Sequence, residues 1–209
     1  MNFRKSGNEF LILSILLSLG LGLRIVLRNA TLTLWDDVEF TWRVQVGQMY
    51  AHSPGYPGYI ALGRGFYLLM SSLGGANSAE SMILLSAILG GLLVIPVYVL
   101  IRTLLGRNEA IVGSLFVIII PIIADMSAQA MSDVTSVFFV TLAVCLLYFG
   151  LAKKNNKVIL LSAAICGFSV AVRLTNLLLF PFFIVAAYNY VPQMPNRKAF
   201  ITLFVSFML

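Results

Sequence analysis

From Met82 to Ile101 the chain runs for 20 residues without a charged side chain. A helix rises about 1.5 Å per residue, so about 20 apolar residues cross the roughly 30 Å of hydrocarbon in a bilayer. A run of this length is either the heart of a large core or a membrane span. The balance of the whole chain decides between them. Of 209 residues, 60% are hydrophobic and 11% are charged, with a mean hydropathy of +0.96. One water-soluble core cannot hide that much apolar surface, so the fold class is all-α integral membrane.

Further runs fit the same reading. Phe10–Leu27 spans if Arg24 reaches to the interface, Ala110–Ala124 is short but extendable, and Val134–Ala152 is charge-free. Val158–Val191 is too long for one span. It is interrupted by Arg173-Leu-Thr-Asn176 and reads as a hairpin of two short spans. Ala199–Leu209 reads as the start of a seventh. The expectation is a single module over residues 1–209 with about six spans and part of a seventh, the N-terminal portion of a longer protein or the product of a truncated gene. Arg4 and Lys5 precede the first run, but no small-residue cleavage site follows it, so it reads as an uncleaved helix.

The net charge of +6 does not point to nucleic acid. The basic residues sit at the ends of apolar runs and form no stripe with interleaved aromatics. They read as topology signals: Arg102 with Arg107, Lys153 with Lys154 and Lys157, and Arg197 with Lys198 fall on one side by parity, the cytoplasmic one. Cys145 and Cys166 lie inside apolar runs, with no metal or disulfide spacing.

Tyr56–Leu73 leaves one ambiguity. If it spans, the acidic segment before it is cytoplasmic; if it lies in the interface, that segment is outside. A span would place Arg64 at mid-membrane, at a cost of roughly 2.5–3.5 kcal/mol. Gly58, Gly63 and Gly65 weaken the helix, and the tyrosines suit an interface. The interfacial reading is favoured, giving a first outer loop over about 29–79 with one or two surface helices.

That loop gathers the polar chemistry. Asp36, Asp37 and Glu39 open an amphipathic segment, Val38–Tyr50, and His52-Ser53-Pro54-Gly55-Tyr56-Pro57 turns the chain back over it. The acids read either as first-turn residues that complement the helix dipole or as a general base at the membrane surface. His52 and Tyr56 are either parts of a plain connector or site residues. Arg24 and Arg28, four apart at the outer end of the first helix, either contact lipid headgroups or a substrate phosphate. Arg64 and Arg173 carry the same two readings, and Asp133 is either a helix-terminal acid or a substrate contact.

The stretch Asp36-Asp37-Val38-Glu39-Phe40 and the turn Ser53-Pro54-Gly55-Tyr56-Pro57 resemble motifs of the GT-C superfamily of membrane glycosyltransferases. The similarity is to the branch holding the protein O-mannosyltransferases (glycosyltransferase family 39) and the aminoarabinose lipid A transferases. Ala130–Phe139 resembles that family's Asp-containing fourth span. Cys166–Arg173 resembles its glycine-to-basic segment. Ser53 stands where the family commonly has proline. The resemblance implies sugar transfer from a polyprenyl-phosphate donor to an acceptor hydroxyl of a protein, lipid or glycan. It implies a multi-pass protein of the plasma membrane, with the site on the extracytoplasmic face. By position Asp36 matches the family's base, with Asp37 as second choice, and family position favours Asp133 as a substrate contact; Arg173, His52, Tyr56, Arg64, Arg24 and Arg28 are the further candidate substrate contacts. The resemblance carries no obligatory metal, although Mg or Mn would suit Asp36, Asp37 and Asp133 if these converge. Two rival readings are a transporter or flippase for a lipid-linked or small polar substrate and a non-catalytic remnant.

Overall fold

A computed structural model describes residues 7–190 together with Ile201 and Val205. The expected seventh span over Ala199–Leu209 lies, but for those two helical residues, outside them. Among the described residues every regular element is a helix: α1 Gly7–Val26, α2 Trp35–Val46, α3 Pro57–Gly74, α4 Ser78–Leu92, α5 Val94–Leu104, α6 Arg107–Ile119, α7 Pro121–Ala128, α8 Ser132–Ala152, α9 Asn156–Val172 and α10 Phe180–Tyr190. A 3-10 segment, Leu174–Leu179, joins α9 to α10.

Three helical stretches are long and apolar enough to cross a membrane: Asn8–Val26, Ser78–Leu104 and Ser132–Ala152. The middle one is α4 and α5 in line, broken at Leu93, because Pro96 lacks the N–H that would bond the Leu92 carbonyl. The expected span over Ala110–Ala124 is not one straight helix. It is α6 and α7, bent by 52° at Ile120–Pro121. A proline in a helix removes a hydrogen bond and crowds the preceding turn, which accounts for the bend. Together the pair has the length and apolar composition of a fourth, broken span or of a re-entrant loop. The hairpin expected over Val158–Val191 is present, turned at Arg173, but its arms are shorter than a full span. Asp125 lies within α7.

Helices meet where small residues allow it, as membrane helices do. A methyl on Gly91 of α4 would stand 2.7 Å from the Leu21 side chain of α1. Ala143 and Leu147 of α8 pack on Ile159, Ala163 and Cys166 of α9. An ion pair of 2.6 Å between Glu9 and Arg102 ties α1 to α5 at the end opposite the acidic loop.

The first loop is structured. α2 starts earlier than the expected Val38 and stops at Gly47, whose φ of +77° ends the helix without strain. Asp36 and Asp37 therefore sit inside its first turn. α3, over the ambiguous Tyr56–Leu73, is not among the membrane-long apolar helices. Phe40 and Val44 of α2, Tyr59 and Ile60 of α3 and Met82 of α4 are fully buried together, with Val172 of α9. Each large apolar side chain so enclosed contributes about 1.5–3 kcal/mol. This cluster fixes the loop helices on the ends of α4, α8 and α9.

Candidate active site

The α2 acids differ in surroundings. Asp37 is buried, and its Oδ2 accepts hydrogen bonds from the Thr33 and Leu34 backbone N–H groups, both at 3.3 Å, and from the Thr33 hydroxyl at 3.4 Å. It stands third in the helix and ties back to the residue before the first turn, half of a capping box. Its Oδ1 is buried without a hydrogen-bond partner. Burial pushes the Asp37 carboxyl above the ordinary range, against the bonds from Thr33 and Leu34. Asp36 is half-buried and has no hydrogen bond or ion pair among the described residues.

Glu39 holds the turn that follows. Its Oε1 accepts from the His52 backbone N–H at 2.9 Å, and its Oε2 lies 2.7 Å from His52 Nδ1. Burial opposes its ionisation, but the bonds from His52 and Arg43 outweigh it and hold the carboxyl below its usual value. The His52 ring lies against Phe40 and Tyr56, at 5.7 and 5.2 Å between centroids. Gly55, at φ +123°, and Tyr56, at φ +64°, turn the chain into α3, with Pro57 as its first residue.

Opposite α2, Asp133 in the first turn of α8 makes an ion pair with Arg173, the residue that ends α9. Asn176 braces this corner, donating to Ser136 Oγ at 2.8 Å and to the Ser169 carbonyl at 2.8 Å. α3 links the two halves. The α-carbon of Gly58 faces the Ala171–Val172 backbone, one residue from Arg173, so closely that a methyl there would be 2.7–2.8 Å from it. Tyr59 is fully buried, and its hydroxyl has no partner in hydrogen-bond geometry, although the Ser86 hydroxyl lies beside it. Burial raises its phenol well above the ordinary value, and the negative charges of both Asp37 and Asp133 add to the effect. Tyr59 shares its buried cluster with Phe40 of α2 and with Val172, the residue before Arg173.

The other expected residues lie elsewhere. Arg64 donates to the Val44 and Gln45 carbonyls, both at 2.6 Å, and closes the C-terminal end of α2. Arg28 lines a cleft of about 380 Å³ with Asn29, Glu80 and Ser81. Arg24 is buried and donates to the Val117 carbonyl of α6 at 3.0 Å. Asp36, Asp37 and Asp133 do not converge as metal ligands: among the described residues no three His, Cys, Asp or Glu side chains gather to hold a metal ion. On the outer side of α2, an open groove of about 440 Å³ is lined by Trp35, Val38, Glu39, Trp42 and Arg43. Tyr59 and Asn176 were not singled out from sequence. The Gly58-Tyr59 pair directly after the proline turn was the available signal for the first, and the polar break in the Val158–Val191 run for the second.

Comparison with known proteins gives one finding. The family model described as dolichyl-phosphate-mannose-protein mannosyltransferase matches residues 64–209, more than half of the chain. The matched region contains Asp133 and Arg173 and begins after α2. No curated protein and no solved structure matches the chain.

Proposed function

The chain belongs to the dolichyl-phosphate-mannose-protein mannosyltransferase family, and on that premise we propose that its α2 acids and its Asp133–Arg173 pair form one sugar-transfer site at the extracytoplasmic lip of the membrane. Membership makes the chain a glycosyltransferase of GT-C type that uses a polyprenyl-phosphate sugar. The apolar helices make it a multi-pass membrane protein. The further reading concerns which atoms do the work.

In the proposed reaction the acceptor oxygen attacks the anomeric carbon from the face opposite the phosphate. The C1–O bond breaks, and the polyprenyl phosphate leaves with the electron pair. The hydroxyl proton passes to Asp36, and the sugar inverts. Asp36 suits the base because no protein donor occupies its carboxylate, whereas Asp37 is committed to the turn before it. Arg173 and His52 supply donors to the departing phosphate, and Asp133 holds Arg173 in place. The observation that supports this reading is the buried cluster in which Phe40 of α2 and Tyr59 of α3 pack with Val172, the residue before Arg173. The donor tail lies between helices, and the acceptor is a protein, lipid or glycan hydroxyl.

The test is transfer from polyprenyl-phosphate mannose to a serine- and threonine-containing peptide by the full chain in membranes. A general base contributes about 10²- to 10⁴-fold, so Asp36→Asn lowers turnover by at least about 100-fold, while Asp37→Asn, which keeps an acceptor for Thr33 and Leu34, retains most of it. Near-normal turnover by Asp36→Asn removes the mechanism, and an inactive Asp37→Asn beside it moves the role to the neighbour.

A further inference from the structure

Pro121 leaves a carbonyl without its helical donor. In an α-helix the N–H of residue 121 would bond the carbonyl of Val117, four residues back, and proline has none. That carbonyl is met from another helix: Arg24 Nη2, in the last turn of α1, donates to it at 3.0 Å. Arg24 is only 2% exposed, it makes no ion pair among the described residues, and its Nη1 is buried without a partner. A charged side chain at membrane depth is costly, so one held there without a counter-charge points to a task. Three residues past α1, the Asn29 N–H donates to the Ala128 carbonyl at 3.0 Å. Val117 of α6 lies just before the bend and Ala128 is the last residue of α7, so α1 and the residues just after it hold the bent pair on both sides of Pro121. From Ala128 the chain needs only Gln129–Met131 to reach α8, whose first turn carries Asp133.

We propose that Arg24 is a positioning residue for sugar transfer: it supplies the donor that Pro121 lacks, fixes the bend between α6 and α7, and through α7 sets where Asp133 meets Arg173. The inference rests on the function proposed above, which gives the Asp133–Arg173 pair its role.

The experiment uses Arg24→Met, Arg24→Lys, Pro121→Ala and the double variant Arg24→Met/Pro121→Ala in the full chain. Three properties are read: thermal stability, the kcat and KM of mannosyl transfer, and the distance between nitroxide labels at Ser71 on α3 and Asp125 on α7, both exposed. Arg24→Met broadens the distance distribution and lowers kcat/KM by about 10- to 100-fold, since small misplacements at a site cost that much. Arg24→Lys keeps a donor and recovers most of the loss. In the double variant the alanine N–H satisfies Val117 within a straighter helix, so stability returns, the distance is narrow but displaced, and kcat/KM stays low. Wild-type kcat/KM in the double variant with the distance displaced overturns the proposal, and so does an unchanged distance distribution in Arg24→Met. The distance needs no turnover, so an active Asp36→Asn removes the reaction mechanism while leaving the distance result to judge the bend.

Discussion

Adjacent on α2, Asp36 keeps both carboxylate oxygens available, whereas Asp37 commits one of its two to the residues that start the helix. Sequence reading leaves the register of this acid pair open to one position. Burial separates them, and burial depends on how Thr33 and Leu34 wrap the helix start, which no motif encodes. Glu39 carries a prediction of its own. Its carboxyl is held below its usual value by His52 and Arg43 against the penalty of burial. The tie to His52 therefore stabilises the fold above the pKa of an unfolded glutamate and is lost as pH falls through the depressed folded value. Thermal melts of wild type and Glu39→Gln should differ by about 0.5–1 kcal/mol near pH 7, a partly exposed pair being screened, and should converge in acid below that folded pKa. A gap that does not shrink as the pH falls below the range of an unfolded glutamate contradicts the tie.

At the scale of elements, two contacts hold the loop helices. Arg64 is the C-terminal closure of α2, and its sequence context alone gave no hint that the carbonyls of Val44 and Gln45 would be its partners. Arg64→Met should cost about 1–2 kcal/mol, the range for a cation at a helix C-terminus in a favourable site, read as a lowered melting temperature. The KM for the lipid-linked donor should hold, and a large rise in that KM would instead mark Arg64 as a substrate contact. Gly58 is where α3 touches α9, against backbone that cannot swing aside. Gly58→Ala should destabilise by about 1–3 kcal/mol, as overpacking does, and reduce turnover by displacing Arg173; wild-type stability would show that the two helices can part freely. Three of the expected spans, those matching Asn8–Val26, Ser78–Leu104 and Ser132–Ala152, were legible because charge-free length is a one-dimensional property. The bend in the fourth was also written in the sequence, as Pro121 within Ala110–Ala124. The partner that satisfies it, Arg24, lies 93 residues away and could only be found in three dimensions.

For the whole molecule, the helical class follows from composition, and the family was legible through the resemblance of the motifs around Asp36, Pro54, Asp133 and Arg173 to a known family. The pairing of Asp133 with Arg173 does not follow from either, because it requires the hairpin at Arg173 to return to the start of α8. Nor does the packing of Phe40 on α2 and of Val172, beside Arg173, in one buried cluster with Tyr59, a side chain with no motif of its own. The central claim is that these groups share one membrane face, and side-specific labelling tests it most directly. Single cysteines replace Ser53 in the α2–α3 turn, Asp125 on α7 and Lys153 after α8, all exposed positions, with the buried Cys145 and Cys166 as background. A membrane-impermeant maleimide added to intact cells should label positions 53 and 125 and should reach 153 only after the membrane is opened. Labelling of 53 and 125 from opposite sides would contradict the account.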